Sequence, residues 1–314
     1  MLLSAGQAKS KRPNEHSSLR AGSQRLGSCE AVSAYGSRAG QPTLTEIIAI
    51  YLAAGVFSGF VSGLFGVGGA FALAPALIIT LTIQGVADAH IMHLTIATSL
   101  ATQVITAILT TYLRFRAGDL LLPLVWRMAP FVAVGALTGA AIGDALPGLV
   151  LKFMFIGFVG VSIARVLILQ HRRIAAGTNR DPAAARGPVI WFFATLSGMS
   201  GGVLGPGPAI LLAPQLRRLD FAMPVVAAAN AFLAGLVGLM AVGGYIVCGL
   251  AEAGLPAHSL GYLYLPGFAA LTLGALAGSP LGIRFSRAVR DRSQAWLFLG
   301  YLSLVLVIMV YHTI

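Results

Sequence analysis

An apolar stretch broken by glycines, and present twice, limits what this chain can become more than any other feature. The first copy is Gly59-Phe-Val-Ser-Gly-Leu-Phe-Gly-Val-Gly-Gly-Ala-Phe-Ala-Leu-Ala-Pro75. It is too apolar for a loop in water. Its five glycines (Gly59, Gly63, Gly66, Gly68 and Gly69) each cost a helix interior about 1 kcal/mol relative to alanine. The pattern predicts a helix, a break near Gly66–Gly69, and a second helix running into Pro75. The second copy is Gly198-Met-Ser-Gly-Gly-Val-Leu-Gly-Pro-Gly-Pro-Ala-Ile-Leu-Leu-Ala-Pro214. A duplicated broken helix in apolar surroundings is a transporter pattern.

The offset of 139 residues pairs Gly59 with Gly198, Gly63 with Gly202, Gly66 with Gly205 and Gly68 with Gly207, and it carries Pro75 onto Pro214. Nine of nineteen positions are identical without a gap. The same offset aligns Gly135–Gly143 with Gly274–Gly282, where five of nine match. Two blocks sharing one offset and one glycine spacing define an internal repeat. In both copies of the second block glycine recurs every fourth residue, leaving one helix face bare for a close-packed neighbour. These blocks are read as packing faces with no substrate role.

Composition gives the solvent. The chain of 314 residues is 57% hydrophobic and 10% charged, with a mean hydropathy of +0.85, whereas soluble domains carry about 25% charged residues. The formal net charge is +11, but lysine and arginine fall in short clusters between apolar runs, as in membrane proteins, which argues against a nucleic-acid partner. The runs are 46–65, 69–84, 91–113, 120–144 and 149–170, then 188–204, 207–216, 222–248, 260–283 and 294–313. A crossing takes about 20 apolar residues, so 69–84 and 207–216 are expected as half-helices or re-entrant pieces. The fold expected is therefore an all-α polytopic membrane protein. It has two homologous halves of about eight to ten membrane elements in total.

Residues 1–43 are polar and basic, bury too little apolar surface to fold, and are expected to form a disordered tail. Residues 44–170 and 188–314 are the two repeats, and 171–187 is a linker whose four arginines argue for the cytoplasmic side. Arg114/Arg116, Arg217/Arg218 and the basic run from Arg284 to Arg292 belong on the same side. The loops at Asp88, Asp144 and Glu252 suit the outside. These signs agree if each half makes five passes, which would invert one half relative to the other and put the C-terminus outside. The same scheme sets the basic tail outside, against the charge bias. Cys29 and Cys248, the only cysteines, are not expected to pair.

Backbone freed by a helix break must line a cavity or be covered by protein. The N-terminus of the next half-helix offers N–H groups and partial positive charge to an anion. Gly66, Gly68, Gly69 and Ala70 would surround such a site in the first half, and Gly205, Gly207 and Ala209 in the second. Pro206 and Pro208 lack an N–H, so the first copy should supply more donors. A tight hairpin without a ligand explains the same glycines. Ser62 sits in the first copy. Thr98, Ser99 and, across the repeat, Asn230 are polar groups in apolar runs, with Gln103 a weaker addition. Such hydroxyls also bond a carbonyl one turn back. No carboxylate falls mid-helix. His90 and His93 lack a third ligand, so no metal is expected, and the chain carries no enzyme or cofactor motif.

The paired block Gly59–Pro75, the run Ala97-Thr-Ser-Leu100, the step Arg116-Ala-Gly118 and the block Gly135–Gly143 resemble the sulfite exporter TauE/SafE family, over about residues 45–313. The resemblance implies a multi-pass protein of a bacterial plasma membrane that moves small sulfur-containing anions such as sulfite, sulfoacetate or thiosulfate. The chain departs from the family at Gly205-Pro-Gly-Pro208, at Ala229-Asn-Ala231 and in its long tail. The leading reading holds the anion between the two breaks while the halves rock, with a coupling ion as a further partner. Two alternatives share the pattern: a channel or transporter for a cation or neutral solute, and a non-transporting membrane scaffold.

Overall fold

A computed structural model describes residues 44–66, 69–171, 187–205, 208–252, 254–288 and 291–313, with Asp181 and Ala185. The expected tail, most of the linker, Cys29, Gly68 and Gly207 lie outside the described residues. The chain forms ten helices among those residues. They are α1 (Leu44–Phe65), α2 (Ala70–Ile83), α3 (Asp88–Arg116), α4 (Leu122–Ala145), α5 (Gly148–His171), α6 (Pro188–Leu204), α7 (Ala209–Arg218), α8 (Met223–Gly249), α9 (Leu265–Ala288) and α10 (Asp291–Thr313). Six of them, α1, α3, α4, α5, α8 and α9, are long and apolar enough to cross a membrane. Each expected run overlaps one helix, with ends displaced by up to five residues, and the two short ones, α2 and α7, follow the breaks. The protein is an all-α polytopic membrane protein.

One element was not expected. The run 260–283 does not begin as helix. Ser259–Leu260 (β1) pairs antiparallel with Leu263–Tyr264 (β2) before α9 starts. Gly261 turns the hairpin at φ +55°, and a Cβ there would strike the Ile246 carbonyl. Apolar and aromatic residues fit strand or helix alike, so composition hides this boundary.

The glycine faces set the packing. A Cβ on Gly55, Gly59 or Gly63 of α1 would run into the Leu271, Ala275 or Ser279 carbonyl of α9. In return, Gly274, Gly278 and Gly282 of α9 lie on the Leu52, Val56 and Phe60 carbonyls. Contacts advance together along both helices, so α1 and α9 are parallel. The same holds for α4 and α6, where Gly135 and Gly139 meet the Thr195 and Met199 carbonyls and Gly198 and Gly202 meet those of Val132 and Ala136. Without water to drive association, such backbone approach is what holds membrane helices together. The packing reading of the glycine blocks therefore holds. Both seams join the first helix of one half to the fourth helix of the other.

The third helices of the halves, α3 and α8, cross in opposite directions. Gly235 lies against Ala107 and Gly238 against Val104 and the Leu100 carbonyl. Gln103 Nε2 donates to the Ala234 carbonyl at 2.9 Å. The two ends of the bundle differ in charge. At one end Tyr262 lies by the loops of Asp144 and Glu252, whose carboxylates it feels, and its ring stacks on His93 at 5.0 Å. There Lys152 pairs with Asp88 at 3.9 Å. At the other end Arg114 reaches the Gly63 carbonyl.

Candidate functional site

Both breaks have the same geometry. In the first, α1 ends at Gly66, whose N–H bonds the Ser62 carbonyl at 2.8 Å and whose φ of +67° suits glycine and few other residues. In the second, α6 ends at Gly205, whose N–H bonds the Gly201 carbonyl at 2.8 Å with φ +91°. The chain then re-enters a helix at Ala70 and at Ala209, and no side chain caps either start.

A pair of serines that sequence reasoning passed over holds these turns. Ser58 Oγ donates to the Gly69 carbonyl at 2.8 Å, and Ser197 Oγ donates to the Pro208 carbonyl at 2.9 Å. Both serines are buried, and they stand 139 residues apart, the repeat offset. Each therefore ties the start of a half-helix to the helix before the break. The signal was available one position ahead of the aligned glycines.

The breaks lie side by side. A Cβ placed on Gly205 would be 3.7 Å from the Ala70 Cβ and 4.0 Å from Ile96 of α3, and one on Gly66 would meet Ala227 of α8. Each break thus rests on the long helix of the other half. Ile96 and Ala227 each precede the Gln103–Ala234 contact by seven residues, about 10 Å along a helix at ~1.5 Å per residue. Ser99 and Asn230 each precede it by four, about 6 Å. So the two breaks flank the centre of the α3–α8 crossing, with one polar side chain between each break and that centre.

Ser99 Oγ, Thr95 Oγ1, Gln103 Oε1 and Asn230 Oδ1 are buried without a hydrogen-bond partner among the described residues. In a native interior such groups are few and each calls for an explanation. Gln103 cannot turn its amide to hide the oxygen, because its Nε2 is committed to Ala234. Ser62 and Gly66 are buried at the first break and Gly205 at the second. Thr98 serves the hairpin: its hydroxyl accepts the Tyr264 N–H at 3.1 Å. Thr98→Val would leave that buried N–H unpaired, which costs about 1–3 kcal/mol. Thermal unfolding in detergent should show the loss, and Thr98→Ser should restore it.

The hairpin end is closed by aromatic packing. Tyr264 donates its hydroxyl to Gln84 Oε1 at 3.0 Å, and Tyr51 accepts from Thr80 at 2.8 Å. Burial pushes the Tyr262 phenol up to about 12, with the carboxylates of Glu252 and Asp144 adding to the effect, so this ring stays neutral. Two apolar cavities, of about 780 and 400 Å³, lie on the flank beside α1 and α10, both touching Phe57 and Tyr301. The smaller one reaches Ala72 and Pro75 in the first turns of α2, just past the first break.

Compared with known proteins, residues 51–309 match the family profile described as sulfite exporter TauE/SafE. The chain is also similar to a Haemophilus influenzae protein described as a probable membrane transporter protein. They are 27% identical over 236 residues, which cover 75% of this chain and 87% of that one. No solved structure matches.

Proposed function

Because the chain belongs to the sulfite exporter TauE/SafE family, and is thereby a membrane transporter, we propose that its cargo is a small sulfur-containing anion and that it works in a bacterial plasma membrane. The observation that carries this is the contact of Gly205, at the second break, with Ala70, the uncapped start of α2, and with Ile96 of α3, the helix that carries the buried, unpartnered Ser99. Helix N-termini favour negative charge, and a serine hydroxyl can donate to an oxyanion. Gly66, Gly69 and Gly205, with Gly68 and Gly207 beyond the described residues, form the backbone of the site, and Ser62 supports its first turn.

The halves are read as inverted repeats exposing the site alternately to the two sides. The opposed directions of α3 and α8 support the inversion, and the pairing of α1 with α9 and α4 with α6 in parallel agrees with it. Those glycine seams weigh against a rigid rotation of one sequence half on the other, since each seam spans both halves. The better-suited moving parts are α2 and α7, each tied at its start by one serine bond. The arginine-bearing end is assigned to the cytoplasm by the positive-inside bias.

A second reading has its own support. The fixed Gln103 Oε1 and the Asn230 Oδ1 are acceptors, which suit a cation, so a coupling ion belongs beside the anion. Flux through proteoliposomes tests both. Sulfite, thiosulfate and sulfoacetate should be carried and should compete with one another, and a sodium gradient should drive them. Ser99→Ala and Asn230→Ala should each cut anion flux about tenfold, the equivalent of ~1.4 kcal/mol. Flux unchanged in both variants would remove these side chains from the site, and competition by cations alone would remove the anion.

A further inference from the structure

The polar residues of α3 extend far beyond Thr98, Ser99 and Gln103, the three singled out from the sequence. Thr95, Ser99, Gln103, Thr106, Thr110 and Arg114 recur every three or four residues, which puts them on one face of the helix. All six are buried, none more than 5% exposed. At one end Thr95, Ser99 and Gln103 hold unpartnered oxygens. Towards the other end the groups are engaged: Thr106 donates to the Thr102 carbonyl at 2.8 Å, Thr110 shares a 2.9 Å bond with Ser279, and Arg114 donates to the Gly63 carbonyl at 3.1 Å. The corresponding face of α8 reads Val226, Asn230, Ala234, Val237, Ala241 and Tyr245, equally buried but apolar except for Asn230 and Tyr245.

A continuous buried polar face on a membrane-length helix is costly, since each unmatched group loses its water. Packing does not require it, because α8 fills the equivalent place with valine and alanine. We propose that the path of the transported anion runs along this face of α3, from Thr95 to Arg114, with α8 as its apolar wall around Gln103 and with α9 and α1 beside Thr110 and Arg114. Hydroxyls spaced one helical turn apart can hand an oxyanion from donor to donor. The guanidinium of Arg114, beside the last turn before the first break, supplies the positive charge at the end of the track. The inference rests on the anion-transport reading above and adds the route and its asymmetry.

The test is cysteine accessibility in the full-length chain with Cys29→Ser and Cys248→Ser. Single cysteines replace Thr95, Ser99, Thr106 or Thr110 on α3 and Val226, Val237 or Ala241 on α8, all near-isosteric changes. A small anionic methanethiosulfonate reagent is applied to proteoliposomes, with sulfoacetate as competitor. The α3 cysteines should react at least about tenfold faster than the α8 cysteines, and sulfoacetate should slow them. Arg114→Gln, which keeps a donor for Gly63, should raise KM about tenfold, and Arg114→Lys should restore it. Equal labelling of the two helices, or faster labelling of α8, overturns the track even if the parent carries anions. Fast α3 labelling by a cationic reagent alone, in a parent that carries no anion, keeps the track and discards the cargo.

Discussion

Gly59→Val should yield little or no monodisperse protein. The added carbon atoms would enter the space of the Ala275 backbone, and backbone cannot swing aside as a side chain can. Overpacking a core costs about 1–3 kcal/mol where side chains can adjust, so a backbone collision sits at or above the top of that range. Gly198→Val meets the Val132 carbonyl in the same way. The double variant should lose about 6 kcal/mol, a large share of the ~5–15 kcal/mol that keeps a protein folded. Gly157 and Gly300 have nothing within 4 Å of a built Cβ, so valine there should leave the melting temperature close to wild type. Size-exclusion profiles and unfolding curves in detergent decide it. A Gly59→Val protein that melts with the wild type would mean the α1–α9 seam is not built as described.

The second large effect is expected from the paired serines. Ser58→Ala leaves the Gly69 carbonyl with the Ala72 N–H as its remaining donor, and Ser197→Ala leaves the Pro208 carbonyl with the Leu212 N–H. Each lost bond costs about 0.5–1.5 kcal/mol. Its main consequence should be functional, because the half-helix start is no longer held in position. Since ~1.4 kcal/mol is a factor of ten, the double variant should show an anion KM raised by about tenfold or more, with global stability reduced much less than in Gly59→Val. The measurement is concentration-dependent uptake in proteoliposomes. An unchanged KM together with an unchanged melting temperature would reduce these bonds to incidental contacts.

Much of this architecture was legible beforehand, and the reasons are physical. A helix that meets lipid must be apolar over its whole length, so the ten runs fall where the ten helices are, with ends shifted by a few residues. Glycine spacing carried the bare faces, because close backbone approach leaves no substitute for it. The hairpin at Ser259–Tyr264 was hidden because its residues are as apolar as the helix that follows. Ser58 and Ser197 were hidden because a serine inside a helix ordinarily bonds the turn behind it, and only the fold shows that these reach forward across the break. Arg114 looked like one of a pair of loop charges with Arg116. In fact Arg114 is buried at 5% and Arg116 is exposed, a difference of helix face that a charge count does not register. Thr98 and Ser99 are neighbours in sequence in different situations, one fastening the hairpin and the other buried without a partner among the described residues.

The crossed pairing of α1 with α9 and of α4 with α6 also bears on how the chain is made. A ribosome releases α1 long before α9, so the glycine face of α1 must wait in the bilayer, unmatched, until almost the entire protein has been inserted. α4 waits only for α6. The earliest closed seam therefore forms at the chain's midpoint, and the last one fastens its two ends together. A fragment stopping at residue 171 would hold α1 and α4 with neither partner. Supplied separately, the two fragments should be inert alone and should regain a folded transporter only when made in the same membrane.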